Sequence, residues 1–203
     1  METRLFVARH GLTNWNQQNK YQGQSDIPLN EKGNCQARSL GQYLAGETLD
    51  AVYSSDLKRA YKTAEIVSTP HNLEVNKKKE LREINFGEWQ GLTYSEIETN
   101  FPERLKKWYQ NPVSNCPPGG ETMTEFRERV ENGFNEIIKE NQNNKVLVVA
   151  HGGTIKAFLT VILEMPPENY WQFDISSTGL SIIDFYKKDK AIISSINIIE
   201  HLK

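Results

Sequence analysis

The 203-residue sequence has few cysteines, no long apolar run and no excess of either charge. Cys35 and Cys116 are far apart and lack Cys-x-x-Cys spacing, which predicts free thiols in a reducing compartment. The N-terminus lacks the features of a signal peptide, and no apolar stretch approaches the roughly 20 residues that a transmembrane helix needs. The 24 lysines and arginines balance 26 aspartates and glutamates. We therefore expect a cytoplasmic protein without nucleic-acid or membrane partners.

Short apolar runs alternate with amphipathic segments along the chain. The apolar runs predict strands at 5–8, 51–53, 73–75, 146–149, 180–186 and 191–199. Helices are predicted after capping residues Asn30, Asp56 and Thr122, and at 101–109 and 154–163. This alternation predicts an α/β fold, a three-layer α/β/α sandwich with a mostly parallel central sheet. We expect one domain over 1–203, with residues of about 90–122 forming a lid-like insert of helix and loop.

Two histidine–glycine pairs follow predicted strands. Arg9, His10 and Gly11 come directly after the first strand, and His151 and Gly152 come after the strand at 146–149. In open α/β sheets, ligands bind beyond the carboxyl ends of the strands. An arginine can bind two phosphate oxygens, a neutral histidine can act as a nucleophile, and a glycine-rich helix N-terminus attracts anions. The alternative interpretations are a hydrogen-bonded core histidine for His10, a surface ion pair for Arg9, and a helix-capping or core histidine for His151.

Three further side chains complete the predicted site. Arg59 lies in the first turn of the helix after the second strand, and Asn16 adds an amide near the first histidine. Glu83 lies in an apolar loop, and apolar surroundings favour the neutral, proton-donating form of a carboxyl group. Arg59 is alternatively an exposed helix arginine. Glu83 alternatively pairs with Arg82 or Arg4, and Glu88 is a competing acid.

Several motifs, in this order, resemble the signature of the histidine phosphatase superfamily, also called the phosphoglycerate mutase-like family. They are the runs at 9–16, 21–23, 28–33, 54–60, 63–64, 81–91, 118–121 and 150–152. The tail is also similar, at 171–173 and 182–185. Each motif is weak alone, and their ordered set is specific. The resemblance implies a phosphoglycerate mutase-like fold for the whole chain.

The resemblance also implies roles for the site residues. His10 would become phosphorylated, while Glu83 would protonate the leaving oxygen and then help to activate water. The phosphoryl oxygens would be held by a set of polar groups: Arg9, Asn16, Arg59, His151 and the N–H of Gly152. This set neutralises phosphoryl charge without a metal ion, so no cofactor and no metal are expected.

The reaction is thus predicted better than the substrate. A metal-independent phosphomonoesterase acting on a small phosphorylated metabolite is the leading prediction, and the length and the tail resemble α-ribazole phosphatases and broad-specificity relatives. Gln22, Gly23 and Tyr94 are candidate substrate-binding residues. One alternative is a cofactor-dependent phosphoglycerate mutase, although such mutases are usually longer and more basic before the second histidine motif. Another is a non-catalytic phosphate-binding module. The oligomeric state stays open, a homodimer being one candidate.

Overall fold

A computed structural model describes residues 3–186 and 190–203. Within them a six-stranded sheet has the order β3-β2-β4-β1-β5-β6, and pairing is parallel except on both sides of β5. The strands are β1 (Thr3–Arg9), β2 (Ala51–Ser54), β3 (Val75–Lys77), β4 (Lys145–Ala150), β5 (Leu180–Tyr186) and β6 (Lys190–Ile198). Residues 1–2 and 187–189 of the predicted domain lie outside the described part.

Seven α-helices are described besides short 3₁₀ turns. They are α1 (Asn14–Gln17), α2 (Glu31–Leu44), α3 (Lys58–Ser68), α4 (Tyr94–Asn100), α5 (Pro102–Gln110), α6 (Met123–Glu140) and α7 (Gly152–Ile162). The predicted caps of α2 and α6 are confirmed: the Asn30 side chain accepts from the Gly33 N–H, and Thr122 and Glu125 form a capping box.

The two faces of the sheet carry separate halves of the core, because side chains alternate along a strand. Leu5 and Val7 of β1 pack in the cluster that includes α6 and α7. Phe6 and Ala8 pack in the cluster that includes α2 and α3. The structure therefore confirms the predicted three-layer sandwich and its mostly parallel sheet.

Some predicted boundaries differ from the structure. The cap predicted at Asp56 is wrong: α3 begins at Lys58, and its N-cap residue, Leu57, makes no side-chain capping bond. The Asp56 carboxylate instead binds Arg82 at 2.6 and 2.7 Å, which outweighs a local cap because both charges are satisfied. The strand predicted at 73–75 lies two residues later, as β3, and α4 was not predicted.

Helices α4 and α5 bury a small apolar core of their own. Its members are Trp89, Ile97, Leu105 and Trp108, with Tyr21, Phe86, Leu92 and Phe101 packed against them. We call the first four residues the aromatic cluster. The cluster lies beside the sheet core and contacts the wall of the site described below. No helix in the described residues is long and apolar enough to cross a membrane.

Candidate active site

The carboxyl ends of the parallel strands bring two histidines together. Arg9 pairs with Ala150 across β1 and β4, and the His10 N–H donates to the Ala150 carbonyl at 3.0 Å. The next residue on each strand is therefore a histidine at the same edge of the sheet. The His10 and His151 rings lie 5.1 Å apart between centroids, and both side chains are buried. The register between β1 and β4 therefore brings the two histidine–glycine motifs together, as the sequence predicted.

His10 has one nitrogen fixed and one available. Nδ1 lies 2.7 Å from the Gly11 carbonyl oxygen. A carbonyl only accepts, so Nδ1 carries the proton and Nε2 carries the lone pair. Burial lowers the pKa of His10 well below its usual value, and the charges of Arg59 and Arg9 lower it further. The neutral imidazole is therefore the resting form at neutral pH, as a nucleophile requires.

His151 is buried with both ring nitrogens unpaired among the described residues. It occupies the N-cap of α7, but its side chain makes no capping bond. Burial, followed by Arg59 and His10, lowers the pKa of His151 well below the usual value. Because unpaired buried polar atoms are costly, this ring suits an anion that would accept its N–H.

Two arginines flank the histidines, Arg59 fully buried and Arg9 partly buried. Arg59 donates to the carbonyls of Ser25 at 2.7 Å and Gly23 at 2.6 Å, and Arg9 donates to the carbonyl of Ile175 at 2.6 Å. The Nε atoms of both arginines have no partner in the described part of the chain. Burial lowers the pKa of Arg59 to about 10 and lowers that of Arg9, with the nearby Glu83 charge opposing both shifts. Both guanidinium groups stay cationic at neutral pH.

The Glu83 carboxylate faces this group of residues. Its oxygens accept from the N–H groups of Ile84 at 3.0 Å and Gly153 at 2.9 Å. The alternative pairings predicted from the sequence do not occur, because Arg82 binds Asp56 and Arg4 binds Asp184. Glu88, the competing acid, is exposed, whereas Glu83 lines the cavity.

Arg129 holds the backbone of the loop that carries Glu83. Its guanidinium donates to the carbonyls of Glu80 at 2.8 Å, Arg82 at 3.0 Å and Glu83 at 3.3 Å. It also binds Glu121 at 2.6 Å, and the same Glu121 oxygen accepts from the Asn85 N–H at 2.7 Å. The sequence interpretation assigned Arg129 no role, because nothing local to α6 indicates this contact.

A cavity of about 300 Å³ opens over these residues. Its lining comprises Arg9, His10, Asn16, Asn19, Lys20, Tyr21, Gln22, Gly23, Arg59, Glu83, Phe86, Tyr170 and Trp171. We refer to Arg9, His10, Arg59, Glu83 and His151 as the floor. His151 lies against His10 rather than on the cavity surface itself.

Several lining residues were not singled out from the sequence. Lys20, Tyr21, Phe86 and Tyr170 are among them. Tyr21 and Phe86 lie in motifs that carry the family resemblance, and Tyr170 directly precedes the similar tail at 171–173. Tyr94, predicted as a substrate contact, is not in the lining. It is exposed, and its ring lies 6.4 Å from that of Tyr109.

The remaining predicted residues reach the cavity in different ways. The Asn16 side-chain oxygen accepts from the Thr13 N–H at 3.1 Å, which leaves its amide nitrogen for the cavity. Gln22 accepts from the Thr13 hydroxyl at 3.0 Å. The Gly23 carbonyl holds Arg59. Gly152, the first residue of α7, lies against Arg9: a Cβ there would meet Nε at 3.3 Å.

Gly11 makes a close packing contact. A Cβ at this position would overlap the backbone of Gly33 on α2. The first turn after β1 therefore packs directly on α2. Within residues 3–186 and 190–203, no group of three or more His, Cys, Asp or Glu side chains is arranged to hold a metal ion.

Comparison with known proteins gives consistent matches over almost the whole chain. The model of the histidine phosphatase superfamily (branch 1) matches residues 5–198. Phosphoserine phosphatase 1 of Hydrogenobacter thermophilus is 34% identical over 98% of this chain and 94% of its own. The Bacillus stearothermophilus YhfR structure has a TM-score of 0.92 at 30% identity, covering 99% of this chain and 100% of its own. The alpha-ribazole phosphatase of Shigella flexneri has a TM-score of 0.90 at 29% identity, covering 96% of each chain.

Proposed function

The chain belongs to the histidine phosphatase superfamily (branch 1), and on that premise we propose that it hydrolyses a small phosphomonoester through a phosphohistidine on His10, without a metal ion. One observation carries this proposal: His10 is buried and neutral, its Nδ1 proton is held by the Gly11 carbonyl, and its Nε2 is free within the described part of the chain. Such an imidazole has an unprotonated Nε2, so no base has to remove a proton before Nε2 attacks phosphorus.

In the first step, Nε2 of His10 forms a bond to phosphorus while the bond from phosphorus to the leaving oxygen breaks. Negative charge on the phosphoryl oxygens is met by Arg9, Arg59 and His151, with the Asn16 amide and the Gly152 N–H as further donors. Arg59 and His151 are fully buried and Arg9 is partly buried, and charges shielded from water act more strongly on a developing charge than they do in water. The two unpaired Nε atoms of the arginines and the unpaired His151 ring support this assignment.

Glu83 would give its proton to the leaving oxygen, which departs as an alcohol. In the second step the carboxylate takes a proton from water as that water attacks the phosphohistidine, so phosphate is released and both side chains return to their starting states. Support comes from the position of Glu83 in the cavity lining and from the Gly153 and Ile84 N–H groups that orient its carboxyl.

A small substrate fits the size of the site. A cavity of about 300 Å³ is at the lower end of the range for small-molecule sites. The relatives named above act on phosphoserine and α-ribazole phosphate, and we propose α-ribazole 5′-phosphate as the first substrate to test, with phosphoserine beside it. We further propose that residues 1–203 act as one domain and that the segment of about 90–122 covers the cavity as a lid. The contact between the Trp108 and Trp171 rings, 5.6 Å apart, supports that cover.

The test is to trap the phosphoenzyme. The purified protein is mixed with ³²P-labelled substrate and quenched, and the label is expected on His10 as an acid-labile, alkali-stable adduct. The same protein is assayed in excess chelator against α-ribazole 5′-phosphate, phosphoserine and 3-phosphoglycerate. We expect undiminished phosphate release in chelator and no isomerisation of 3-phosphoglycerate.

The His10→Ala variant is the matched control, since it removes the nucleophile and keeps the two arginines. It should form no adduct and turn over no substrate at a measurable rate. An adduct that persists in His10→Ala, or activity that chelator abolishes, would contradict the mechanism. Isomerisation of 3-phosphoglycerate would identify a mutase instead.

A further inference from the structure

Tyr170 lies on the cavity wall beside the floor, in a 3₁₀ segment (Pro167–Gln172) that follows α7. Its side chain is buried, and two neighbours hold its ring. The Trp171 ring packs edge-on at 4.9 Å, and the Lys156 ammonium lies 5.6 Å from the ring centroid. These contacts restrain the phenol ring where it lines the cavity.

The Tyr170 hydroxyl and the Glu83 carboxylate meet at one point. A Cβ added to Gly153 would overlap Glu83 and lie 2.6 Å from the Tyr170 hydroxyl oxygen. Gly153 thus leaves room for two oxygen-bearing groups to approach each other over the start of α7. The hydroxyl makes no hydrogen bond to the described residues, so its donor is available to a ligand at this point.

The charge state of the phenol suits a donor. Burial raises the pKa of Tyr170 well above its usual value, and the nearby Glu83 charge raises it further, while Arg9 acts in the opposite direction. The hydroxyl therefore keeps its proton throughout the pH range in which the enzyme would work. The hydroxyl group of a buried tyrosine usually has a hydrogen-bond partner. Because the Tyr170 hydroxyl has none among the described residues, we expect its partner to be the substrate.

We propose that the Tyr170 hydroxyl donates a hydrogen bond to the leaving oxygen of the substrate, as a second donor beside Glu83. This inference rests on the proposed function. As the bond from phosphorus to the leaving oxygen breaks, its electron pair goes to that oxygen and the proton comes from Glu83. Tyr170 keeps its own proton and stabilises the negative charge that develops before the transfer is complete. The effect should be largest for leaving groups that hold negative charge poorly.

The experiment uses Tyr170→Phe, which removes one oxygen and keeps the ring. Wild type and variant are compared on an alkyl phosphate (phosphoserine) and an aryl phosphate (p-nitrophenyl phosphate). We expect kcat/KM to fall about 10- to 100-fold for the alkyl ester, toward the lower end of what a lost oxyanion donor costs, and less than about 3-fold for the aryl ester. The ratio of the two losses is measured within one variant and does not depend on the fraction of folded protein.

The same substitution made in the Glu83→Gln variant tests whether Tyr170 acts on the substrate directly or only through Glu83. In Glu83→Gln, the added Tyr170→Phe change should still lower the alkyl rate, because the phenol acts on the substrate itself. Tyr43→Phe, an exposed tyrosine beside His201 on another face, serves as the matched control and should match wild type on both esters.

The possible outcomes distinguish a failure of this inference from a failure of the proposed function. Equal losses on both esters, or none, would overturn the inference while wild-type hydrolysis leaves the proposed function standing. Absence of a further loss in the Glu83→Gln background would also overturn it, because Tyr170 would then act only through Glu83. A wild-type protein that hydrolyses neither ester and forms no phosphohistidine would overturn the proposed function and this inference together.

Discussion

The floor and the aromatic cluster are neighbours, and both are buried, yet different forces stabilise them. The cluster packs tryptophan rings edge-to-face, Trp89 on Trp108 at 5.5 Å, and contains no charged side chain. It buries mostly apolar surface, together with the two indole N–H groups of these rings, which are unpaired among the described residues. The floor holds two arginines and two histidines in the same low-polarity environment, where like charges and unpaired ring nitrogens are costly. One region gains stability on folding, and the other gives some of it up.

The folded protein tolerates the charges of the floor because backbone groups compensate for part of them. Arg59 is held by two loop carbonyls, and Glu83 accepts two N–H groups. What remains uncompensated is positive, and this is the charge that a phosphoryl group would neutralise. From this difference we infer a division of labour, in which the floor performs the proposed reaction and the cluster stabilises the fold beside it.

The largest effect that would test this division is expected from Glu83→Gln in the floor. The amide keeps the shape of the side chain and has no proton to give, so the rate should fall about 10²- to 10⁴-fold for substrates with poor leaving groups. The loss should be much smaller for aryl phosphates, whose leaving oxygens need little protonation. Steady-state kcat/KM on phosphoserine and p-nitrophenyl phosphate measures both.

Glu88→Gln is the matched control, five residues along the same loop and exposed. It should behave as wild type on both substrates. Equal losses for the two substrates in Glu83→Gln would count against the general-acid role. A large loss in Glu88→Gln would mean that the exposed acid does the work assigned to the floor.

Trp108→Ala, in the aromatic cluster, should affect stability more than chemistry. Trp108 is 1% exposed, and truncating a buried tryptophan costs about 3 kcal/mol of unfolding free energy or more. Urea unfolding measures that loss, while kcat on p-nitrophenyl phosphate below the unfolding transition should change only a few fold. Tyr109→Ala, at an exposed neighbour on α5, should cost much less.

The division would fail if Trp108→Ala lowered kcat as strongly as Glu83→Gln does. That result would mean that the cluster holds the floor in its working geometry, through Tyr21 and Phe86, which contact both regions.

The two regions also differ in how far the sequence predicts them. All five residues of the floor were named from the sequence. His10, Arg59 and His151 each follow a predicted strand, and parallel strands bring such positions to one edge of the sheet. The fold followed from the same periodicity, including the caps at Asn30 and Thr122. Local patterns determine these features, so they can be read from short stretches of sequence.

What the sequence did not predict depends on contacts between distant segments. Asp56 was interpreted as a cap because nothing local indicates that Arg82 takes both its oxygens. Arg129 and Tyr170 reach the Glu83 loop from α6 and from beyond α7, and no spacing rule joins them to it. Tyr94 was named as a candidate substrate-binding residue, and the path of α4 leaves it outside the cavity lining.

The smallest effect expected is a pH dependence of stability that belongs to the floor. Burial, with Arg59, lowers the pKa of His10 and of His151 well below 6.5 in the folded protein. Below about pH 6.5 the unfolded chain binds protons at these positions and the folded chain does not, so unfolding is favoured as pH falls. Each such histidine costs up to about 1.4 kcal/mol per pH unit between its unfolded and folded pKa values. Urea unfolding at several pH values from 7.5 to 5.5 measures the slope.

The slope of stability against pH should be shallower in His151→Asn, which lacks one of the two buried histidines. Inorganic phosphate should also reduce the slope in the wild type, because a bound anion favours the protonated form of the histidine rings. His71→Asn is the control: burial lowers the pKa of His71 as well, but less than in the floor, so its removal should change the slope less. A slope that His151→Asn leaves unchanged would place the pH sensitivity outside the floor. The stability cost attributed there to two buried neutral histidines would then be wrong, and the contrast with the aromatic cluster would rest on the arginines alone.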